Sequence, residues 1–203
     1  MSLMTLPQID EYAVLENTRT AAFVSRQGSI DWLCLPRLHS KGPFAALLGN
    51  EEGGNWQVAP YGQIRACRRR FRGDTLVLET DYDTADGSVR LVDFMPPRDA
   101  STVVRLVAGV RGRVRMQMDL SPRFDHGRIR PELRRVDGAD VAIAGSDSVW
   151  LRTPVETRGE DAAVRADFFV SAGELVPFVL TWHPSHEPAP LPVDALRALA
   201  DAE

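Results

Sequence analysis

Lysine, cysteine and long apolar runs are all scarce in this sequence. Lys41 is the only lysine among 24 basic residues, and the arginines are scattered, which favours a composition bias over a phosphate-binding surface. Cys34 and Cys67 are the only cysteines, too few and too far apart for a disulfide scaffold or a cysteine-based zinc site. No apolar stretch is long enough to span a bilayer, and nothing directs export. We therefore expect a soluble cytoplasmic protein with no membrane partner.

Signatures of nucleophilic and nucleotide chemistry are also missing. The sequence contains no Gly-x-Ser-x-Gly elbow, no Gly-x-Gly-x-x-Gly turn and no Walker pattern. The only close histidine pair, His183 and His186, brackets Pro184 in a stretch that is not helical, and a third zinc ligand cannot be placed. A solvated linker explains this pair better, so we assign no metal, no cofactor and no catalytic residue.

The densest basic run, Arg65–Arg72, has two interpretations. It resembles a nucleic-acid patch, but Phe71 is its one interleaved aromatic residue, and Glu79 and Asp81 follow closely. The net charge of the whole chain is only −4, without long blocks of like charge. These features favour a solvent-facing strand or a domain interface, and we expect no nucleic-acid partner.

Short apolar or alternating segments, separated by turn residues, recur along most of the chain and predict a dozen strands. They are Thr20–Ser25, Ile30–Leu35, Asn55–Ala59, Gln63–Phe71, Thr75–Tyr82, Ser88–Met95, Thr102–Gly109, Arg113–Leu120, Asp140–Ala144, Ser148–Arg152, Val164–Ser171 and Leu175–Trp182. Within the eighth segment, Val114, Met116 and Met118 face one way, while Arg113 and Arg115 face the other. One face of the sheet should therefore be buried and the other wet.

Turn signals indicate how these strands pair. Ala85–Gly87 and Asp137–Gly138 carry hairpin chemistry, so neighbouring strands should run antiparallel. Phe44–Leu48 predicts a short helix that ends at Gly49. The predicted fold class is all-β, a large antiparallel β-sandwich with a short C-terminal helix.

The end of the chain predicts a domain boundary. Residues 183–192 are rich in proline and resemble an interdomain linker, and Val193–Ala202 predicts a helix with an apolar stripe. We expect a sandwich domain over residues 1–182, then a linker and the start of a helix over 183–203. Since the stripe has no following partner, a further domain is expected beyond it.

Paired carboxylates would be needed if this domain itself hydrolysed glycosides. Six acids are candidates for such a pair, namely Asp31, Glu79, Asp81, Asp83, Asp93 and Asp125. Turn, cap and solvated-face roles account for most acids in β proteins. From these residues alone, the sequence supports no more than a soluble β-sandwich.

A resemblance to a known family begins at Gly28–Arg37, which reads GSIDWLCLPR. The other stretches that carry it are Asn17–Ser25, Phe44–Gly49, Thr75–Thr80, Asp93–Pro96 and Pro122–Gly127. Together they resemble the N-terminal region of glycoside hydrolase family 15, the bacterial glucoamylase and trehalase group. His39, Leu38 and His126 stand where the family usually has Asp, Phe and Tyr, which argues against a ligand role for that loop.

The resemblance implies an N-terminal supersandwich, a linker helix and then an (α/α)6 catalytic barrel. In the family, an acid and a base in the barrel act by an inverting mechanism, so no catalytic residue is carried over to this chain. The expected partners are the chain's own C-terminal (α/α)6 domain and, for the whole protein, an α-glucan or trehalose substrate.

Five residues are candidates for docking the barrel or for contacting sugar: Asp31, Trp32, Arg37, Arg123 and Asp125. In the docking interpretation, Trp32 fills the core with its strand neighbours or packs on the barrel, while Asp31 and Arg37 hold the loop. In the sugar interpretation, Trp32 stacks on a sugar ring. A free-standing carbohydrate-binding module and a self-contained glycosidase are the alternatives from other classes.

Overall fold

The computed structural model describes residues 8–49, 53–97 and 101–203, and strands dominate this part of the chain. The strands are β1 Ala13–Glu16, β2 Ala21–Val24, β3 Ser29–Leu33, β4 Asn55–Pro60, β5 Ala66–Phe71, β6 Leu78–Asp83, β7 Gly87–Phe94, β8 Thr102–Ser121, β9 Glu132–Val136, β10 Ala139–Ala144, β11 Asp147–Arg152, β12 Arg158–Glu160, β13 Ala163–Ser171 and β14 Leu175–Pro184. Helix α1 spans Ala195–Ala202, and 3₁₀ turns lie at Ile9–Glu11 and Ala46–Leu48. The predicted all-β antiparallel sandwich is confirmed.

Two antiparallel sheets share strand β8. The front sheet has the order β1-β2-β3-β4-β8-β13-β12, and the back sheet has the order β5-β6-β7-β8-β14-β11-β10-β9. The first half of β8 pairs with β7 and β14, and its second half pairs with β4 and β13. The main core contains side chains of both sheets, including Trp56 and Met116 from the front and Leu91 and Phe178 from the back.

Strand β8 corrects the expectation of two strands at Thr102–Gly109 and Arg113–Leu120, because it runs unbroken for 20 residues. The glycines between them do not end the strand. Gly112 has a φ of +71°, and a side chain there would overlap the carbonyl oxygen of Asp86. The chain therefore bends from one sheet to the other without a turn. In the second half, Val114, Met116 and Met118 are buried as predicted.

Three strands were not predicted. Strands β9 and β12 are exposed, charged edges without apolar alternation, and β1 is only four residues long. The hairpin signal at Asp137–Gly138 is confirmed, because it joins β9 to β10 with φ values of +48° and +77°. The expected helix at Phe44–Leu48 is a single 3₁₀ turn that ends at Gly49 with a φ of +83°.

Helix α1 packs on the outer face of the back sheet. Its Ala195 and Ala198 are buried in a second apolar cluster with Phe94, Val104 and Leu106. The Asp194 carboxylate caps the helix by accepting hydrogen bonds from two backbone N–H groups, at 3.0 and 3.1 Å. Of the predicted stripe Val193, Leu196 and Leu199, the sandwich partly buries Val193 and Leu199, while Leu196 stays 59% exposed.

Strand β14 also extends beyond the expected end at Trp182. His183 and Pro184 pair with Ser148 and Asp147 on β11, so the first two residues of the expected linker are strand residues. The boundary between the domains expected over 1–182 and 183–203 stays a prediction, and residues 1–7 lie outside the described residues. In the described part of the chain, α1 is too short and too polar for a transmembrane segment.

Replacing Ala198 by Glu is expected to lower the free energy of unfolding by about 2 kcal/mol, because the larger, charged side chain must enter the cluster beneath α1. Urea unfolding of the 203-residue chain measures the change. Ala200→Glu is the matched control, since Ala200 lies on the exposed side of the same helix. Equal stability of the two variants would contradict the packing of α1 on the sheet.

Candidate functional site

The Asp31 carboxylate is buried and fully engaged within the domain. It accepts hydrogen bonds from the Ser29 hydroxyl at 2.5 Å and from the Tyr12 hydroxyl at 2.6 Å. The Asn55 amide in turn donates to the Ser29 oxygen at 2.9 Å. Burial, together with the neighbouring Asp31 carboxylate, raises the pKa of Tyr12. Asp31 therefore links Tyr12, the residue before β1, to strand β3 of the front sheet.

Trp32 lies on the outer face of the front sheet and is partly exposed. Its strand neighbours Ile30, Leu33 and Leu35 are in the core, so the interpretation that Trp32 joins them there is wrong. The reason is a bulge in the pairing of β2 with β3, which leaves Asp31 as an extra residue and breaks the alternation. The indole stacks on the ring of His126, with centroids 6.0 Å apart and 21° between planes.

The turn after β8 carries Arg123, Asp125 and His126. Phe124 is buried and anchors the turn, which closes through backbone hydrogen bonds between Phe124 and Ile129. Asp125 and His126 both adopt left-handed backbone conformations, with φ values of +52° and +56°. The Arg123 guanidinium donates to the backbone oxygen of residue 162 at 3.0 Å.

The loop that follows β3 meets this turn. The Lys41 ammonium lies 2.9 Å from the Asp125 carboxylate, and it lowers the pKa of Asp125 through this contact. The backbone N–H of Arg123 donates to the Pro43 carbonyl at 2.8 Å. Arg37 is exposed in the loop that precedes Lys41, and its backbone N–H donates to the Ser40 hydroxyl at 3.2 Å.

We call residues 31–44 together with 122–129 the motif corner. Contacts between the loop and the turn bring three of the five predicted residues together, namely Trp32, Arg123 and Asp125. The Asp31 side chain instead contacts Tyr12 and Ser29, and Arg37 lies on the exposed edge of the corner. Leu38 and Ile129 add exposed apolar surface, with 63% and 46% of each residue accessible. Sequence reasoning missed the roles of Tyr12, Lys41 and His126, and for Tyr12 no local signal exists, because Asp31 is 19 residues away.

The arginine run lies on β5 and is matched by carboxylates on β6. Arg68 pairs with Asp83 at 2.7 Å, and Arg70 pairs with Asp81 at 3.1 Å. Glu79 pairs with Arg72 at 2.8 Å, and Arg90 on β7 pairs with Asp81 at 2.6 Å. The run is a solvent-facing strand in a ladder of ion pairs, as the sequence favoured.

The six candidate acids are each held by a neighbouring group. Glu79, Asp81 and Asp83 belong to the arginine ladder, Asp125 is paired with Lys41, and Asp31 accepts from two hydroxyls. Asp93 forms an ion pair with Arg105 at 2.8 Å, and both side chains are completely buried. In the described part of the chain, no group of three or more His, Cys, Asp or Glu residues is arranged to hold a metal ion.

The fold and the motif corner define the class: an antiparallel supersandwich domain whose corner exposes apolar, aromatic and basic side chains and whose candidate acids are engaged in internal contacts. The family described as trehalase-like, N-terminal matches residues 4–180. This chain belongs to that family of trehalase-like N-terminal domains.

Trehalases from other organisms are similar to this protein across most of the chain. The chain is 28% identical over 212 residues to the trehalase of Mycolicibacterium smegmatis, which covers 91% of this chain and 31% of that protein. It is 29% identical over 208 residues to the trehalase of Mycobacterium tuberculosis, covering 88% of this chain and 30% of the relative. A trehalase of Thermoplasma volcanium is 25% identical over 160 residues, covering 75% of this chain and 26% of that protein. The chain thus spans less than a third of the length of these relatives.

Proposed function

We propose that this chain is the non-catalytic N-terminal accessory domain of a cytoplasmic α-glucoside hydrolase of the glycoside hydrolase family 15 type. The observation that carries the proposal is the engagement of all six candidate acids, because a general acid and a general base must be free to face the substrate. The coverage of the relatives adds support. Because this chain matches less than a third of each trehalase, the rest of those proteins has room for a catalytic domain.

The catalytic partner in this proposal is an (α/α)6 barrel that follows the sandwich in the full-length protein. An acid of the barrel protonates the glycosidic oxygen, and a carboxylate on the opposite side activates water with inversion. Trehalose is the favoured substrate because the named relatives are trehalases, and α-1,4-glucans are the alternative.

The motif corner is the surface proposed to contact the barrel. Trp32, Leu38 and Ile129 present apolar surface there, and such a patch on a domain typically marks an interface. Its loop and turn are joined by the Lys41–Asp125 ion pair at the surface and by the backbone hydrogen bond from Arg123 to Pro43. The corner also exposes the charged side chains of Arg37, Lys41 and Arg128, as the rim of an interface does. In the alternative, direct binding of sugar, the same residues would stack on the ring and bond to its hydroxyls.

Glucose release from trehalose and from maltooligosaccharides tests the proposal. The 203-residue chain is assayed beside the full-length protein, which in this proposal contains the barrel, at equal molar concentration. We expect activity only in the longer protein, with trehalose as the better substrate. Glucose release by the 203-residue chain alone would show that its own carboxylates are catalytic and would refute the accessory role.

Trp32→Ala separates the docking role from a core role. Because the indole is partly exposed, we expect the 203-residue chain to lose only about 1–2 kcal/mol of stability, less than the ~3–5 kcal/mol of a fully buried aromatic. In the full-length protein we expect a larger loss of activity than in the control Phe169→Ala, which removes an aromatic residue that is 52% exposed elsewhere on the front sheet. Urea unfolding and trehalose hydrolysis measure the two effects. Equal activity of the two variants would place the interface elsewhere.

A further inference from the structure

A second surface, outside the motif corner, forms an open cleft of about 290 Å³ on the outer face of the front sheet. Strands β4, β8, β12 and β13 form its floor. One row of paired positions crosses these strands in register, from Gln57 to Asp119 to Arg165 to Arg158. Gln117 and Asp167 form the neighbouring row, and Tyr61 and Arg115 line one end. Polar, planar side chains therefore dominate the cleft.

The charges in the cleft cancel. Asp167 pairs with Arg115 at 3.1 Å and with Arg158 at 2.9 Å. Arg165 pairs with Asp119 and with Glu160, each at 2.8 Å. Three guanidinium groups thus pair with three carboxylates, of which that of Glu160 lies outside the lining. The ion-pair network is neutral as a whole, so it does not favour a phosphate or a metal cation over a neutral ligand.

The other polar side chains of the cleft are suited to bind the hydroxyl groups of a ligand. The amide of Gln117 offers donors and an acceptor, and that of Gln57 offers an acceptor and one donor beside the N–H that binds the Gln27 carbonyl at 3.4 Å. Tyr61 is 55% exposed, and the Arg115 guanidinium lies 4.0 Å from the centroid of its ring, which holds the ring at the edge of the cleft. A sugar ring matches both features, because its adjacent hydroxyls can bond to the amides and its apolar face can pack on the Tyr61 ring.

We propose that this cleft binds a neutral saccharide, one or two sugar rings in size. Its strand β4 lies beside β3, with Gln57 paired to Ser29, but none of the residues that line the cleft belongs to the motif corner. The cleft would hold carbohydrate on the accessory domain independently of the barrel. Only the choice of α-glucosides as probes rests on the proposed function.

Titration of the ¹⁵N-labelled 203-residue chain with maltotriose and with trehalose tests the site, with inorganic phosphate titrated in parallel. We expect saturable shifts of amide signals in β4, β8 and β13 for at least one of the two sugars, with a dissociation constant of about 1 mM. Saturation by phosphate alone, or by neither sugar, would overturn the proposal. This outcome is independent of glucose release by the longer protein, which needs no cleft on this domain.

Two variants locate the bound sugar. Gln117→Ala and Tyr61→Ala should each weaken binding about fivefold or more, because each removes a side chain that lines the cleft. Gln63→Ala is the matched control, an exposed glutamine outside the cleft, and it should leave the affinity unchanged. Dispersed amide spectra confirm that each variant is folded. Unchanged affinity in a folded Gln117→Ala or Tyr61→Ala chain would place the sugar elsewhere and refute the proposed site.

Discussion

Replacing Arg105 by Met is expected to lower the free energy of unfolding by about 3–5 kcal/mol, the cost of leaving one partner of a buried ion pair uncompensated. Arg105 and Asp93 are both inaccessible to solvent and form hydrogen bonds at 2.8 and 3.3 Å. The same guanidinium donates to the backbone oxygen of Trp56 at 2.7 Å and of Gly28 at 2.9 Å. Its loss therefore leaves the buried Asp93 carboxylate without its donor and removes one hydrogen bond from each carbonyl, although that of Gly28 still accepts from the Val58 N–H at 3.0 Å.

Urea unfolding of the 203-residue chain measures this effect. Arg68→Met is the matched control, because it removes an arginine from an exposed ion pair, and such pairs contribute about 1 kcal/mol or less. The double variant Arg105→Met/Asp93→Leu should recover part of the loss, since no unpaired charge remains. If Arg105→Met were as stable as Arg68→Met, the buried ion pair would have no structural role.

Replacing Gly28 by Val is expected to cost about 3 kcal/mol or more. Gly28 has a φ of +74°, a conformation that strains any side chain, and a β-carbon there would lie 2.3 Å from the Val58 oxygen. The Tyr82 hydroxyl lies 2.9 Å from the same point. Because the first obstacle is backbone, the strand β4 itself would have to move.

Gly73→Val separates the cost of the left-handed backbone conformation from the cost of the steric overlap with β4. Gly73 also has a positive φ, +55°, but a β-carbon there meets nothing within 4 Å. We expect this control to lose only about 1–2 kcal/mol, the cost of the left-handed conformation. The melting temperature and urea unfolding of both variants provide the comparison. Equal losses would show that the close approach of β4 to Gly28 does not matter.

The sequence predicted the sandwich well because its strand signals are local. Alternation along Arg113–Leu120 correctly assigned Val114, Met116 and Met118 to the core, and the Asp137–Gly138 hairpin has the expected geometry. The same two interpretations were given to the block with Trp32 and to the turn with Asp125, and the structure brings the two together, because Trp32 stacks on His126 of that turn. These features follow from periodicity, turn chemistry and the family resemblance.

Other features depend on tertiary pairing that no local pattern encodes. The bulge that turns Trp32 out of the core is a property of the register between β2 and β3. Arg105 sits inside an apolar strand segment, and its burial is compatible with folding only because Asp93 lies opposite it on β7. The partner of Tyr12 could not be predicted for the same reason, since Asp31 reaches it across the fold.

Strand β8 has a consequence for how the two sheets respond to stress. Its first half has neighbours on both sides in the back sheet, and its second half has neighbours on both sides in the front sheet. Removing this one strand would divide each sheet in two, so neither sheet can lose β8 while the other stays intact. The sandwich should therefore unfold as one cooperative unit, with amide protons in both halves of β8 exchanging with solvent only when the whole domain opens.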